Sequence, residues 1–282
     1  MSPSSNATSG AVGKLRDFAV RFGVGVGLVA ILSLSLWLCQ WMLVVLIGLF
    51  MALAVHELAA VAKSRGRRPA WLVVAIGGAA LLIVEYGGWL GDVFAVGFIG
   101  SAVLLLAVLA WRLRGDVQGY LADVGVSALM IIYLPVLLTF VIAMLRSDKP
   151  VAQMVTYVAI IVIGDSGAYI MGSVFGRLKL APHISPGKTW EGLVGCLVWA
   201  AAVGIPLAVF VLGVSWWQGA VLGVTLGAAA VVGDLAESAI KRDVGVKDMG
   251  KLLPGHGGAM DRLDSLVFCA PIAWAMMNLW MA

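Results

Sequence analysis

The densest run of polar residues in this apolar sequence starts at Asp234 and extends to residue 265. Asp234, Glu237 and Lys241 recur at helical spacing, so on a helix their side chains share one face with that of Ser238. Carboxylate oxygens at this spacing suit a hard divalent cation, and a lysine beside them suits phosphate oxygens. These residue types together predict metal-assisted phosphoryl or nucleotidyl transfer.

A second acidic face follows within the same run. Asp261, Asp264 and Ser265 repeat the helical spacing, and glycines between residues 255 and 258 allow backbone N–H groups to approach an anion closely. Two acidic faces on neighbouring antiparallel helices would hold a cation between them. The metal ligands that we expect are Asp234, Glu237 and Asp261.

Residues 185–191 form a second candidate loop, with the sequence Ser-Pro-Gly-Lys-Thr-Trp-Glu. Its Gly-Lys-Thr triplet is not a P-loop, because Pro182 occupies the position of the leading glycine and no strand is predicted before it. Ser185, Lys188 and Thr189 could bind phosphate at a helix N-terminus. A helix cap made by Ser185 or Thr189 explains the same residues equally well, so both interpretations stay open.

Composition requires a membrane around these residues. Of the 282 residues, 62% are hydrophobic and only 12% are charged, too few charges to cover a soluble domain. A span needs about 20 apolar residues, and the runs lack the alternation of a barrel, so we predict an all-α polytopic transmembrane protein. The nine predicted spans are 19–38, 41–62, 70–87, 93–113, 123–145, 151–173, 190–214, 217–240 and 263–281.

The distribution of basic residues predicts the orientation of these spans. With a cytoplasmic N-terminus, 17 of the 19 lysines and arginines fall in inside segments, and only Arg146 and Lys149 fall outside. We divide the chain into a disordered tail at 1–18, N-terminal transmembrane helices at 19–150 and a C-terminal transmembrane catalytic region at 151–282.

Carboxylates within the spans indicate where the function lies. Each costs roughly 2.5–3.5 kcal/mol near the bilayer centre, so each requires a structural or functional reason. Glu57, Asp165, Asp234 and Glu237 all lie toward the predicted cytoplasmic ends of their spans. Glu85 lies near an outer end, and we interpret it as interfacial. The site is therefore expected at the cytoplasmic face.

The same segments carry a long fixed-spacing pattern. It consists of Ser-Ala-Ile-Lys-Arg at 238–242, Lys-Asp at 247–248, Pro-Gly-His-Gly-Gly at 254–258 and Asp-Arg-Leu-Asp at 261–264. In this pattern the sequence resembles the CDP-diacylglycerol synthase, or phosphatidate cytidylyltransferase, family. Asp-Ser-Gly-Ala-Tyr at 165–169 and the 185–192 segment are also similar to that family. The close resemblance covers roughly residues 160–266, and Ala259 departs from it where a larger aliphatic residue is expected.

The resemblance implies cytidylyl transfer from CTP to phosphatidate, with CDP-diacylglycerol and pyrophosphate as products. It also implies Mg²⁺ as cofactor, with a second cation left open, a homodimer in the cell (inner) membrane, and no nucleic-acid partner. The expected catalytic residues are Asp234, Lys241, Asp261 and Asp264. The expected substrate-binding residues are Asp165, Ser185, Lys188, Thr189, Glu191, Ser238, Arg242, Lys247, Asp248, His256, Gly257, Gly258 and Arg262.

Three other interpretations fit the sequence less well. A CDP-alcohol phosphotransferase would have aspartates four residues apart after an Asp-Gly start, whereas Asp261 and Asp264 are three apart. A transporter would hold its carboxylates at the midplane, rather than at one face beside a basic loop. A solvated charged loop is the alternative for any single residue, and we prefer it for Asp243 and Lys251.

Overall fold

The computed structural model describes residues 34–250 and 258–281. Seven helical segments in these ranges are long and apolar enough to cross a membrane, and Trp71–Gly87 is a shorter apolar helix. The helices are α1 Gln40–Ser64, α2 Trp71–Gly87, α3 Val93–Arg112, α4 Tyr120–Ile131, α5 Leu137–Leu145, α6 Pro150–Phe175, α7 Trp190–Leu207, α8 Trp216–Asp243 and α9 Met260–Met281. The all-α membrane fold is therefore confirmed.

The eight predicted spans from 41–62 onward each coincide with a helix or a continuous helical segment within a few residues. The predicted span 19–38 lies largely outside the described residues, of which 34–38 are helical. The predicted tail at 1–18 also lies outside them.

Two helical segments contain a turn of π-helix. Ile132–Val136 links α4 to α5, and Ala208–Leu212 ends the α7 segment. Pro135 lies inside the first of these turns, and Pro206 lies just before the second. Proline has no N–H, and its ring clashes with the carbonyl group one helical turn earlier. The wider π-helical turn makes room for the ring, so each helix continues past its proline.

Glycines allow the C-terminal helices to approach each other closely. A Cβ added at Gly223 on α8 would lie 2.4 Å from the Ala200 carbonyl oxygen on α7. One added at Gly219 would lie 2.5 Å from the Gly204 carbonyl oxygen. Small residues at such crossings let membrane helices gain close van der Waals contact.

A small antiparallel hairpin, which the sequence analysis did not predict, lies between α6 and α7. Its strands are β1 Lys179–Ala181 and β2 Ser185–Thr189, and Lys179 pairs with Thr189. A strand therefore does precede α7, contrary to expectation. The P-loop remains excluded, because Pro182 still occupies the position that requires glycine.

The loops gather at two opposite ends of the bundle. At one end, Arg65 Nε donates to the Val244 carbonyl and the Arg68 N–H donates to Asp123 Oδ1. Arg242 Nε at that end donates to the Ile184 carbonyl in the hairpin. Within the described chain, the segments predicted to be cytoplasmic are thus joined to one another, as the charge distribution indicated.

At the opposite end, Glu85 has partners inside the protein. Its side chain is fully buried, and its Oε1 accepts a hydrogen bond of 2.8 Å from Thr139 Oγ1. Arg146 Nη1 donates to the Glu85 carbonyl oxygen. Thr139 of α5 thus supplies a hydroxyl partner for Glu85 inside the protein, near the end of α2, a contact that the sequence did not predict.

Candidate active site

The C-terminal part of α8 presents the predicted polar face. Ser238 Oγ lies 3.3 Å from Asp234 Oδ1 and donates to it, one helical turn away. Lys241 forms an ion pair with Glu237, also one turn away. The helical spacing read from the sequence therefore brings these four side chains onto one face.

The start of α9 is held against this face. Ser265 Oγ donates to the Ala230 carbonyl oxygen of α8 at 3.2 Å, and the Ser265 N–H donates to Asp264 Oδ1 at 2.7 Å. Gly233 makes the contact close, since a Cβ there would lie 2.7 Å from Phe268 Cβ. The two acidic faces consequently meet beside Asp234.

Three carboxylates converge where the helices meet. Asp234, Glu237 and Asp264 each offer an oxygen, and these oxygens lie within 4.8 Å of one another. Glu237 is fully buried, and its Oε1 has no hydrogen-bond partner within the described residues. A buried carboxylate oxygen with no donor, among other carboxylates, fits a hard cation with oxygen ligands.

Asp261 lies next to this cluster and shares Lys241 with Glu237. Lys241 Nζ lies 2.9 Å from Asp261 Oδ1, and the Gly258 N–H donates to Asp261 Oδ2 at 2.7 Å. Each oxygen of Asp261 thus already has a donor. The three clustered carboxylates include Asp264, whereas the metal ligands expected from the sequence included Asp261 in its stead.

Lysines border the carboxylate cluster on two sides. Lys188 Nζ lies 2.7 Å from Asp234 Oδ2 and also donates to the Val231 carbonyl oxygen at 3.3 Å. Lys241 bridges Glu237 and Asp261. Alternating ammonium and carboxylate groups can bind a phosphate chain and a cation in the same space.

The hairpin fixes the position of Lys188. Thr189 caps α7, its Oγ1 accepting the Gly192 N–H at 3.1 Å, so the cap interpretation is confirmed for Thr189. Both carboxylate oxygens of Glu191 accept the Leu178 N–H, at 3.2 and 3.3 Å. Ser185 pairs with Ala181 in the sheet. Lys188 is the residue of this loop that reaches the carboxylates.

Several other expected residues lie around this centre. Asp165 is exposed on α6, Lys247 and Asp248 are exposed after α8, and Arg262 is exposed at the start of α9. Arg242 joins α8 to the hairpin through its bond to Ile184. His256 and Gly257 lie outside the described residues.

Glu57 belongs beside this site, although from the sequence it was expected only among the carboxylates at the cytoplasmic ends of the spans and not among the site residues. Its Oε2 accepts the Met260 N–H of α9 at 3.0 Å. The available signal was a carboxylate inside an otherwise apolar predicted span.

Comparison with known proteins agrees with this geometry. A profile described as Cytidylyltransferase family matches residues 19–280, and the chain belongs to that family. The chain is 33% identical over 274 residues to the phosphatidate cytidylyltransferase of Mycobacterium bovis, covering 93% of this chain and 88% of that protein. It is 37% identical over 208 residues to the phosphatidate cytidylyltransferase of Brucella suis, covering 73% of this chain and 70% of that protein.

Proposed function

We propose that the chain transfers a cytidylyl group from CTP to phosphatidate, giving CDP-diacylglycerol and pyrophosphate. The observation that carries this proposal is the carboxylate cluster of Asp234, Glu237 and Asp264, bordered by Lys188 and Lys241, in a chain of the Cytidylyltransferase family. Nucleotidyl transfer needs positive charge around a triphosphate, which the two lysines and a divalent cation held by the three carboxylates would supply.

Phosphatidate can act as its own nucleophile, because a phosphate monoester carries ionised oxygens near neutral pH. One of these oxygens forms a bond to the α-phosphorus of CTP, and the bond from that phosphorus to the bridging oxygen breaks. Pyrophosphate departs with the electron pair of that bond. No strong general base is required, so positioning and charge neutralisation supply the catalysis.

We assign Mg²⁺ to the cluster of Asp234, Glu237 and Asp264. When bound, the cation neutralises charge on the triphosphate. Asp261 lies outside this group of three carboxylates, and its ion pair with Lys241 together with the bond from the Gly258 N–H would orient Lys241. Lys188 and Lys241 would hold phosphate oxygens, with Arg242, Lys247 and Arg262 as the neighbouring cations.

The location of the reaction follows from the same residues. We propose that the protein lies in the cell (inner) membrane with this site at the cytoplasmic face, where CTP is available. The acyl chains of phosphatidate would remain in the bilayer and enter between helices. A homodimer is proposed from the family resemblance.

The test is pyrophosphate release by the purified protein in detergent, with CTP and Mg²⁺, in the presence and absence of phosphatidate. We expect release that requires phosphatidate and equals the CDP-diacylglycerol formed. Neither a CDP-alcohol phosphotransferase, which would need CDP-diacylglycerol as substrate, nor a transporter would release pyrophosphate from CTP and phosphatidate. The absence of phosphatidate-dependent pyrophosphate release would exclude the proposed function.

A further inference from the structure

A carboxylate from α1 reaches the start of α9. Glu57 is only 8% exposed, and its Oε2 accepts the N–H of Met260, the first residue of α9, at 3.0 Å. The first N–H groups of a helix have no partner within the helix, and negative charge is stabilising near them. Glu57 therefore acts as a helix cap supplied by a different helix.

Two glycines leave space for this carboxylate. A Cβ added at Gly250 would lie 2.1 Å from Glu57 Oε1 and 2.5 Å from Glu57 Cδ. A Cβ added at Gly258 would lie 2.3 Å from Glu57 Oε2 and 2.6 Å from Oε1. Glu57 is thus in close contact with Gly250 and with Gly258, which precede and follow residues 251–257 in the chain.

The residues beside Glu57 lead directly to the carboxylates and lysines of the site. The Gly258 N–H donates to Asp261, and Asp261 binds Lys241, which is paired with Glu237. Asp264 lies one turn further along α9. A displacement at the start of α9 would therefore change the positions of Asp261 and Asp264 relative to α8.

We propose that Glu57 is a positioning residue for the reaction. By accepting the Met260 N–H and filling the space beside Gly250 and Gly258, it fixes the start of α9 so that Asp264 faces the carboxylates of α8. This inference deepens the proposed function and rests on it for the role of Asp264.

The first test compares Glu57→Gln with Glu57→Ala. Glutamine retains a carbonyl oxygen of the same reach, so we expect turnover within about threefold of the parent, whereas alanine leaves the Met260 N–H without its acceptor and lowers turnover about tenfold or more. Glu57→Ala should also raise the Mg²⁺ concentration that gives half-maximal activity. An unchanged Mg²⁺ requirement, or equal losses in both variants, would overturn the positioning role.

The second test is a double-mutant cycle between Glu57 and Gly250. We expect Gly250→Ala to lower the apparent melting temperature of the parent, because the new Cβ would clash with the Glu57 carboxylate. The same substitution should have little effect in the Glu57→Ala variant, which lacks that carboxylate. Gly187→Ala is the control, since nothing lies within 4 Å of a Cβ there. If Glu57→Ala does not yield folded protein, the cycle is run with Glu57→Asp. Additive effects would contradict the contact.

The two tests separate the inference from the function. The melting-temperature cycle contains no CTP and requires no turnover, so it reports on Glu57 alone. If the parent showed no cytidylyl transfer while the cycle showed coupling, the proposed function would fail and the contact would stand. If the parent were active and neither test showed an effect of Glu57, the positioning role alone would fail.

Discussion

Lys188, in the hairpin before α7, lies with its Nζ 2.7 Å from Asp234 Oδ2 on α8. Asp234 lies 46 positions after Lys188 in the sequence, and α7 and most of α8 lie between them. The contact joins the loop that we expect to bind phosphate to the carboxylates that we expect to bind metal.

The first prediction concerns Lys188 itself. A charge-assisted hydrogen bond is worth about 1.5–3 kcal/mol, so Lys188→Ala should lower turnover about tenfold to a hundredfold. The matched control is Lys149→Ala at the opposite end of the bundle, where Lys149 Nζ donates to the Leu212 carbonyl oxygen. Steady-state rates of both variants with CTP and phosphatidate check this. Equally small losses of turnover in the two variants would mean that Lys188 stabilises the hairpin and does not contact the substrate.

The second prediction concerns the metal ligands. Asp234→Asn and Asp264→Asn should each lower Mg²⁺-dependent turnover about a hundredfold or more, because each removes a ligand charge. The double variant should be little worse than either single variant, since the carboxylates act as a unit. Asp243→Asn, exposed at the end of α8, is the control and should stay near the parent. Retained turnover in the Asp264 variant would refute its assignment.

The third prediction concerns the helix crossing that supports the site. Gly223→Ala should lower the apparent melting temperature in detergent, because the new Cβ would lie 2.4 Å from the Ala200 carbonyl oxygen. Gly125→Ala in α4 has nothing within 4 Å of its Cβ and should be neutral or slightly stabilising. A tolerated alanine at Gly223 would show that α7 and α8 are not in close contact there.

The fourth prediction concerns the buried ion pair between α3 and α4. Arg112 Nε lies 2.8 Å from Asp123 Oδ2, and both side chains are almost fully buried. Removing one partner of a buried pair costs about 3–5 kcal/mol, so Asp123→Ala should strongly lower the apparent melting temperature. Arg114→Ala is the control, because Arg114 is exposed above the Trp111 ring. Equal melting temperatures would mean that the pair adds no stability.

The fifth prediction concerns orientation. In a Cys39→Ser background, Asp148→Cys should react with an impermeant thiol reagent in intact cells, whereas Asp243→Cys should react only after permeabilisation. Both positions are exposed: Asp148 lies in the loop before α6, and Asp243 ends α8 at the opposite end of the bundle. The reverse pattern would place the carboxylate cluster on the outer side.

The spans were predictable because length and hydropathy determine them almost alone. The predicted span 93–113, for example, corresponds to the helix Val93–Arg112 in the structure. The common face of Asp234, Glu237, Ser238 and Lys241 on α8 was predictable, because it depends only on the spacing of these residues within one helix. The separate positions of Asp261 and Asp264 were not predictable, because both satisfy the same spacing and the rotation of α9 against α8 brings Asp264 into the carboxylate cluster and Asp261 onto Lys241. Burial of Glu85 depends on Thr139, 54 residues away, which no local pattern reveals.

The most direct test of the central claim follows phosphorus through the reaction. The purified parent is incubated with phosphatidate and CTP labelled either at the α-phosphorus or at the γ-phosphorus. We predict that the α-label enters the lipid product and that the γ-label leaves as pyrophosphate, both abolished by Asp234→Asn and retained by Asp243→Asn. γ-Label in the lipid, or no label in the lipid from either CTP, would contradict cytidylyl transfer at this site.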